Sequence, residues 1–327
     1  MVARTLDRLP ARVAWLAPGL AVGAIIVIFA GWFTIHATPG DAYNYLAAGE
    51  RLNAGHPLYA LSPGDRTVDI RPPYWTVPLL SPPFIAVLWR PLAALPAELG
   101  VALWWTLGLV TMAAALVAMA VRRPGLVGLA TLALCVPVVY ALGIGNVDAF
   151  LFAGAAGTWI LWRSGRPEWA AVLVGVMIAL KVTPAVFAVW LLAITPTRRV
   201  LTLGVTTVAA CILVGILGAG LDATITYVGI ARATEAAGAS PLSLGGLTGW
   251  SLAPMAFALG GLAGVVALRH RPAPAFALAV LVWVFGSPTL YVDGLAMLLV
   301  ALVPLCWPAG RMSLGRPAGS PLSARIG

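Results

Sequence analysis

The 327-residue chain is poor in charged side chains, which make up 9% of it, against roughly a quarter in average soluble domains. Hydrophobic residues make up 61%, and apolar runs of about 20 residues recur along the sequence. This composition excludes an ordinary soluble globular protein. It predicts an all-α integral membrane protein, a multispanning bundle of helices.

Lysine, cysteine and histidine are also scarce. Lys181 is the only lysine, and the three cysteines lie within apolar runs without metal-ligand spacing, so we interpret them as small buried hydrophobic side chains. His36 and His56 flank the polar segment that follows the first apolar run, but two histidines alone do not make a metal site. Since no Asp-x-Asp pair is present either, we expect no metal and no other cofactor.

The net charge of +9 is spread in twos and threes between the apolar runs. That distribution is typical of topology signals, whereas a nucleic-acid-binding surface concentrates its basic residues. We therefore expect membrane lipids as neighbours and no nucleic acid.

The apolar runs predict one membrane domain over 1–307, followed by a tail, 308–327, that we expect to be disordered and cytoplasmic. A polar outer loop, 36–97, carries interfacial helices, including a short one over 83–96, and a second polar loop covers 219–248. The first span is expected to be uncleaved. The predicted spans are 13–35, 98–121, 125–143, 146–162, 200–218, 249–268, 273–290 and 291–307.

The apolar run 167–194 decides the topology, because it contains Lys181 and Pro184. Counted as one span, it leaves 8 arginines inside and 11 outside; counted as two short helices broken at Pro184, it places 14 inside and 5 outside. Cytoplasmic loops carry the excess of basic residues, so the second count is preferred. It predicts about ten membrane-crossing segments with both termini cytoplasmic.

The first outer loop holds the densest group of reactive side chains. A helix is expected from near Pro39 to Gly55, with Thr38 or Asp41 as its cap, and Asp41, Tyr45 and Ala48 on one face. Asp41 is either a catalytic base at the membrane surface or only a helix-capping residue.

Four polar residues of later segments reach the same outer face in this topology. Lys181, an unfavourable charge within a membrane, either contacts a phosphate or pairs with an aspartate such as Asp148 or Asp293. Asn146 is either a helix cap or a ligand contact, and Asp293 either binds sugar hydroxyls or balances Lys181. With Asp41, these residues can converge although they are far apart in sequence.

The first loop resembles that of glycosyltransferase family 87. The matching residues there are Asp41, Tyr45, Leu46, Ala48, Gly49, Arg51, Gly55, Pro57, Leu58 and Tyr59. Further matching stretches are Arg90-Pro91-Leu92, Leu95-Pro96, Gly145-Asn146, 165–184 and Ser287-Pro288. The later Asn-Gln-Ser-Leu element of the family is reduced to Ser243-Leu244 here, and Tyr291 and Asp293 stand near the positions of its usual tryptophan and histidine.

The resemblance implies the all-helical C-type glycosyltransferase fold, with Asp41 as base and Lys181 near the donor phosphate. The predicted reaction moves a hexose, mannose in the related enzymes, from a polyprenyl-phosphate donor to a lipid or glycan acceptor, with inversion, at the outer face of the plasma membrane. A transporter or an inactive relative in envelope assembly is the alternative. The predicted substrate-binding residues, besides Lys181, are Tyr45, Arg51, His56, Tyr59, Asn146, Asp148, Tyr291 and Asp293.

Overall fold

A computed structural model of the protein describes residues 11–35, 39–66, 79–236 and 240–309. Within these ranges the chain is helical, without a β-strand, so the all-α class is confirmed. The α-helices are α1 Ala11–Ala14, α2 Leu16–Ile35, α3 Gly40–Asn53, α4 Pro83–Trp89, α5 Ala97–Arg122, α6 Pro124–Ala133, α7 Cys135–Gly143, α8 Asp148–Arg163, α9 Pro167–Leu180, α10 Ala185–Ile194, α11 Arg198–Ala219, α12 Leu221–Ala236, α13 Leu244–Thr248, α14 Ala253–Ala267, α15 Pro272–Phe285 and α16 Val303–Cys306. Two 3₁₀ helices, Leu92–Ala94 and Asp293–Leu302, complete the set.

Two of the described helices, α5 and α11, are long and apolar enough to cross a membrane by themselves. The bent pair α6 and α7 makes a third candidate if it counts as one span. The number of ten crossing segments therefore stays a prediction, and the predicted tail beyond 309 lies outside the described residues.

The predicted span 125–143 is built as two helices, α6 and α7, which meet at an angle of 73°, so its crossing of the membrane stays a prediction. Pro137 has no N–H to donate to the carbonyl of Ala133, the residue at which α6 ends. The intervening Leu134 leaves the helical conformation, with φ −108° and ψ 21°.

The predicted break in the run 167–194 is confirmed. α9 ends at Leu180, Lys181 is extended with φ −157° and ψ 130°, and α10 begins at Ala185. Pro184 lacks the amide that would bond to the carbonyl of Leu180, and it disfavours helical geometry at Thr183.

The predicted polar loop 219–248 is wrong, because it contains α12 and α13. The charged residues of this stretch suggested a loop, yet Leu221, Ile225 and Val228 follow helical spacing and form one exposed apolar stripe. The predicted span 291–307 is likewise built differently, mostly as the tight helix Asp293–Leu302, where a run of ten residues exceeds the usual three or four.

The short helix expected over 83–96 is packed between other helices. Ile85 and Trp89 are fully buried, although Leu88 is exposed. Gly49 of α3 and Gly218 of α11 allow this close approach, since a Cβ at Gly49 would lie 3.0 Å from the Trp89 carbonyl oxygen. This packing fixes α3, which carries Asp41.

Candidate active site

Asp41 lies in the first turn of α3, as predicted, and the helix ends before Gly55, which has φ +74°. The residue before the helix is Pro39, and no side chain caps it; Thr38 lies outside the described residues. The backbone N–H groups of Asp41 and Ala42 instead donate to the carbonyl of Ile144, at 3.0 and 3.4 Å. The Asp41 side chain is therefore not the N-cap.

The turn after α7 docks onto the start of α3. Gly145 has φ +69°, and a Cβ at this position would lie 2.9 Å from the Cβ of Ala42 and 3.2 Å from that of Pro39. The indole of Trp104 donates to the Gly145 carbonyl at 3.0 Å. A glycine is required here, both for the left-handed backbone and for the close contact.

A buried polar network extends from this turn. The Asn146 side-chain amide donates to Oδ2 of Asp293 at 2.8 Å and to Oδ2 of Asp148 at 3.2 Å. The Lys181 Nζ atom donates to Oδ1 of Asp148 at 2.9 Å. Residues from three separate parts of the sequence are thereby held together, and the Lys181 side chain keeps 43% of its surface exposed.

These residues border a cavity of about 410 Å³ between the start of α3, the α9–α10 break and the loop after α15. Ten residues were predicted as catalytic or substrate-binding, and the cavity lining contains seven: Asp41, Tyr45, Asn146, Asp148, Lys181, Tyr291 and Asp293. The predicted convergence of Asp41 and Lys181 on one cavity is thus present in the structure. The substrate-binding roles themselves stay predictions.

The other three predicted residues lie outside this lining, namely Arg51, His56 and Tyr59. Arg51 is 1% exposed and donates from Nε to the Leu58 carbonyl at 3.2 Å. The Nδ1 atom of His56 lies 2.6 Å from Oδ1 of Asp65. Tyr59 donates to the Ser81 carbonyl at 2.7 Å and stacks on Tyr227. All three make contacts that organise the loop after α3.

Loop hydrogen bonds and burial explain the electrostatics of this segment. The backbone N–H of Ser62 and the partner His56 lower the pKa of Asp65, whereas burial is the main cause that lowers the pKa of Arg51. Burial raises the pKa of Tyr59. The shifts of Arg51 and Tyr59 thus reflect burial, and that of Asp65 reflects its hydrogen bonds.

The pKa of Asp41 is raised from 3.8 to about 7. Desolvation is the main cause, the neighbouring Asp293 adds to the increase, and Lys181 opposes it. Burial, together with the charge of Asp41, raises the pKa of Tyr45 well above its ordinary value, so Tyr45 is a neutral phenol. A carboxyl group that titrates near neutral pH is suited to accept and release a proton.

The cavity also contains residues that the sequence did not single out. Tyr227 comes from the unpredicted α12, and Asn44 and Thr289 add further polar groups. The helical spacing of apolar residues in 221–236 was the available signal for α12. The signal for Asn44 was weaker: it follows Asp41 by three residues and therefore lies on the same side of α3.

Three hydrogen bonds stabilise the wall of the cavity formed by α15 and the loop that follows it. The indole of Trp283 donates to the Thr183 hydroxyl at 3.1 Å, which joins α15 to the break beside Lys181. The backbone N–H of Ser240 donates to the Pro288 carbonyl at 3.0 Å, and its hydroxyl donates to the Leu290 carbonyl. The serine segment before α13 therefore fixes the loop that carries Tyr291.

No group of three or more His, Cys, Asp or Glu residues is placed to hold a metal ion within the described parts of the chain. The expectation of a metal-free reaction stays a prediction.

Comparison with protein families gives a match to the model of glycosyltransferase family 87 over residues 80–308, more than half of the chain. The matched region includes Asn146, Asp148, Lys181, Tyr291 and Asp293, and it begins after Asp41. Neither the comparison with curated proteins nor that with solved structures gave a match.

Proposed function

The chain belongs to glycosyltransferase family 87 and is a membrane glycosyltransferase, and we propose that its cavity transfers a hexose from a polyprenyl-phosphate donor to a lipid or glycan hydroxyl. The observation that carries this proposal is that Asp41 and Lys181, 140 positions apart in the sequence, line one cavity. The pair supplies the two functions that such a transfer needs, a proton acceptor and a positive charge near the leaving group.

Lys181 is the proposed phosphate contact. Its ammonium group is held by Asp148 at 2.9 Å, yet 43% of the side chain remains exposed. A lysine ammonium acts on a phosphate as a flexible point charge with several donors. It can therefore stabilise the negative charge that accumulates on the phosphate as the sugar departs.

Asp41 is the proposed general base. The acceptor oxygen attacks the anomeric carbon, its proton passes to the Asp41 carboxylate, and the bond between that carbon and the phosphate oxygen breaks. The bond's electron pair leaves with the polyprenyl phosphate, and Asp41 later releases the proton to water. A single displacement without a covalent enzyme intermediate inverts the configuration at the anomeric carbon.

We propose mannose as the sugar, because the enzymes that the first loop resembles transfer mannose. The direct test is to incubate the purified protein in lipid nanodiscs with radiolabelled polyprenyl-phosphate mannose and membrane lipid extract. A labelled product with inverted linkage is expected. Release of free mannose alone, or label that stays on the donor, would contradict the proposal.

The proposed location is the plasma membrane, with both termini cytoplasmic and the cavity open to the outer face. The support is the break at Lys181–Pro184. Counting the run as two crossings puts 14 arginines on the inner side, the distribution that the positive-inside rule favours. A reporter fused at Pro196 should give a cytoplasmic signal. A signal from the outer side would overturn this topology.

A further inference from the structure

We propose that Asn44 binds the acceptor hydroxyl next to the one that Asp41 deprotonates, so that the reacting end of the acceptor is an uncharged pair of neighbouring hydroxyls. This inference rests on the proposed function and adds to it a binding residue and a class of acceptor.

Asn44 is placed beside the proposed base. It follows Asp41 by three residues on α3, a spacing that separates the Cβ atoms of neighbouring helix positions by about 5–6 Å. Both residues line the cavity. One hydroxyl of a sugar ring can therefore reach Asp41 while the neighbouring hydroxyl reaches Asn44.

The amide of Asn44 lacks a protein partner for its oxygen. Oδ1 is buried and accepts no hydrogen bond. A buried amide oxygen without a donor is unfavourable. By contrast, Asn146, the other asparagine in the cavity lining, uses Oδ1 to accept from the backbone N–H of Asp148 and its NH₂ to bind two aspartates.

A substrate hydroxyl matches this amide. Rotation about the terminal torsion of asparagine exchanges the oxygen and the nitrogen, so the side chain can turn either group toward the cavity. A hydroxyl both donates and accepts, and it can pair with either one. Binding of the acceptor thus gives the amide the partner that the protein does not provide.

The charge of the cavity favours an uncharged acceptor. Among the described residues of the lining, Asp41, Asp148 and Asp293 are acidic and Lys181 is the one cation. Lys181 is already paired with Asp148, and the donor brings a negative phosphate. A carboxylate or phosphate on the acceptor beside Asp41 would meet like charges at short range.

The test measures binding separately from turnover. Wild-type protein, Asn44→Ala and the control Tyr43→Phe are placed in nanodiscs and titrated calorimetrically with octyl α-mannoside and its monodeoxy analogues. Tyr43 is on the same helix but outside the cavity lining. For the wild type, loss of one particular hydroxyl should weaken binding about tenfold, the effect of a single hydrogen bond.

Asn44→Ala should bind octyl α-mannoside about tenfold more weakly than wild type does. It should bind the deoxy analogue that is weakened for wild type with the same affinity as octyl α-mannoside, because the contact made by that hydroxyl is already absent. Tyr43→Phe should behave as wild type. Octyl glucuronide, whose carboxylate adds a charge, should bind more weakly than octyl glucoside.

The inference is overturned if Asn44→Ala keeps the wild-type affinity, if it keeps the full penalty for every deoxy analogue, or if no neutral glycoside binds the wild type. Equal binding of the glucuronide and the glucoside overturns the uncharged acceptor. The proposed base is judged separately. Unimpaired transfer by Asp41→Asn would reject that role while the binding result for Asn44 still held.

Discussion

The Nζ atom of Lys181 and Oδ1 of Asp148 lie 2.9 Å apart, and the Asp148 side chain is 2% exposed whereas that of Lys181 is 43% exposed. The pair thus has one buried member and one that reaches the cavity. Asp148 holds the ammonium group in place, and the exposed part of Lys181 is where we propose that the donor phosphate binds.

Removing Lys181 should separate these two roles. Lys181→Met leaves the buried Asp148 without its cation, so the free energy of unfolding should fall by about 3–5 kcal/mol. The double variant Lys181→Met/Asp148→Asn should regain most of that stability. Unfolding in detergent, followed by circular dichroism, measures both values.

Donor binding should behave differently. Both variants should bind the polyprenyl-phosphate donor more weakly than wild type, because neither has the ammonium group. If the double variant regains donor affinity along with stability, Lys181 has only a structural role.

Gly145→Ala should disturb the start of α3. The new methyl group would lie 2.9 Å from the Cβ of Ala42, and the backbone has φ +69°. The free energy of unfolding should therefore fall by about 1–3 kcal/mol from overpacking. The cost of a left-handed backbone at a non-glycine residue adds to this loss. Transfer activity should fall as well, since Asp41 is carried by the displaced turn.

Gly55→Ala is the matched control, since Gly55 has φ +74° but open space around its Cβ position. Its free energy of unfolding should fall only by the cost of the left-handed backbone, about 1–2 kcal/mol. Equal losses of unfolding free energy for the two variants would show that the contact between Gly145 and Ala42 contributes nothing.

Transfer should depend on pH through Asp41. Its pKa is raised to about 7, and a general base works only when deprotonated, so kcat/KM should rise tenfold per pH unit and level off near pH 7. At pH 5 the rate should be about 100-fold below the plateau. A flat profile between pH 5 and pH 8 would exclude Asp41 as the titrating base.

The free energy of unfolding should show the opposite dependence on pH, falling as the pH rises. Between pH 3.8 and about 7 the native protein keeps the Asp41 proton that the unfolded chain has already released, so this carboxyl lowers the unfolding free energy as the pH rises. Asp41→Asn should remove that decline, and the variant should exceed wild-type stability at pH 8. An unchanged pH dependence of unfolding in Asp41→Asn would show that the carboxyl is not desolvated in the folded state.

Local rules were sufficient to predict α3 and the break at Lys181, because Gly55 and Pro184 act on their immediate neighbours. The meeting of Asp41 with Lys181 followed from placing both at one membrane face. The hydrogen bond between Asn146 and Asp293, across 147 positions, could not be predicted, since it depends on how α15 and the following loop pack.

The error in the 219–248 stretch has a physical cause. In α12, polar residues obscured an apolar stripe with helical spacing, so Tyr227 was missed as a cavity residue. Arg51 belongs to the motif of the first loop and was predicted to bind substrate; its guanidinium is buried, donates to the Leu58 carbonyl and lies outside the cavity lining, so that role stays a prediction. A motif in sequence does not distinguish a residue that supports a loop from one that contacts a ligand.

The most direct measurement is the rate of mannose transfer by Asp41→Asn, compared with wild type and with Glu50→Gln, in purified protein supplied with polyprenyl-phosphate mannose and acceptor lipid. Glu50 lies on the same helix and pairs with Arg66 at a more exposed site, so its variant should transfer at the wild-type rate. Asp41→Asn keeps the shape of the side chain but cannot accept the proton, and transfer should fall about 10²–10⁴-fold while donor binding persists. Transfer by Asp41→Asn at the wild-type rate would contradict the account.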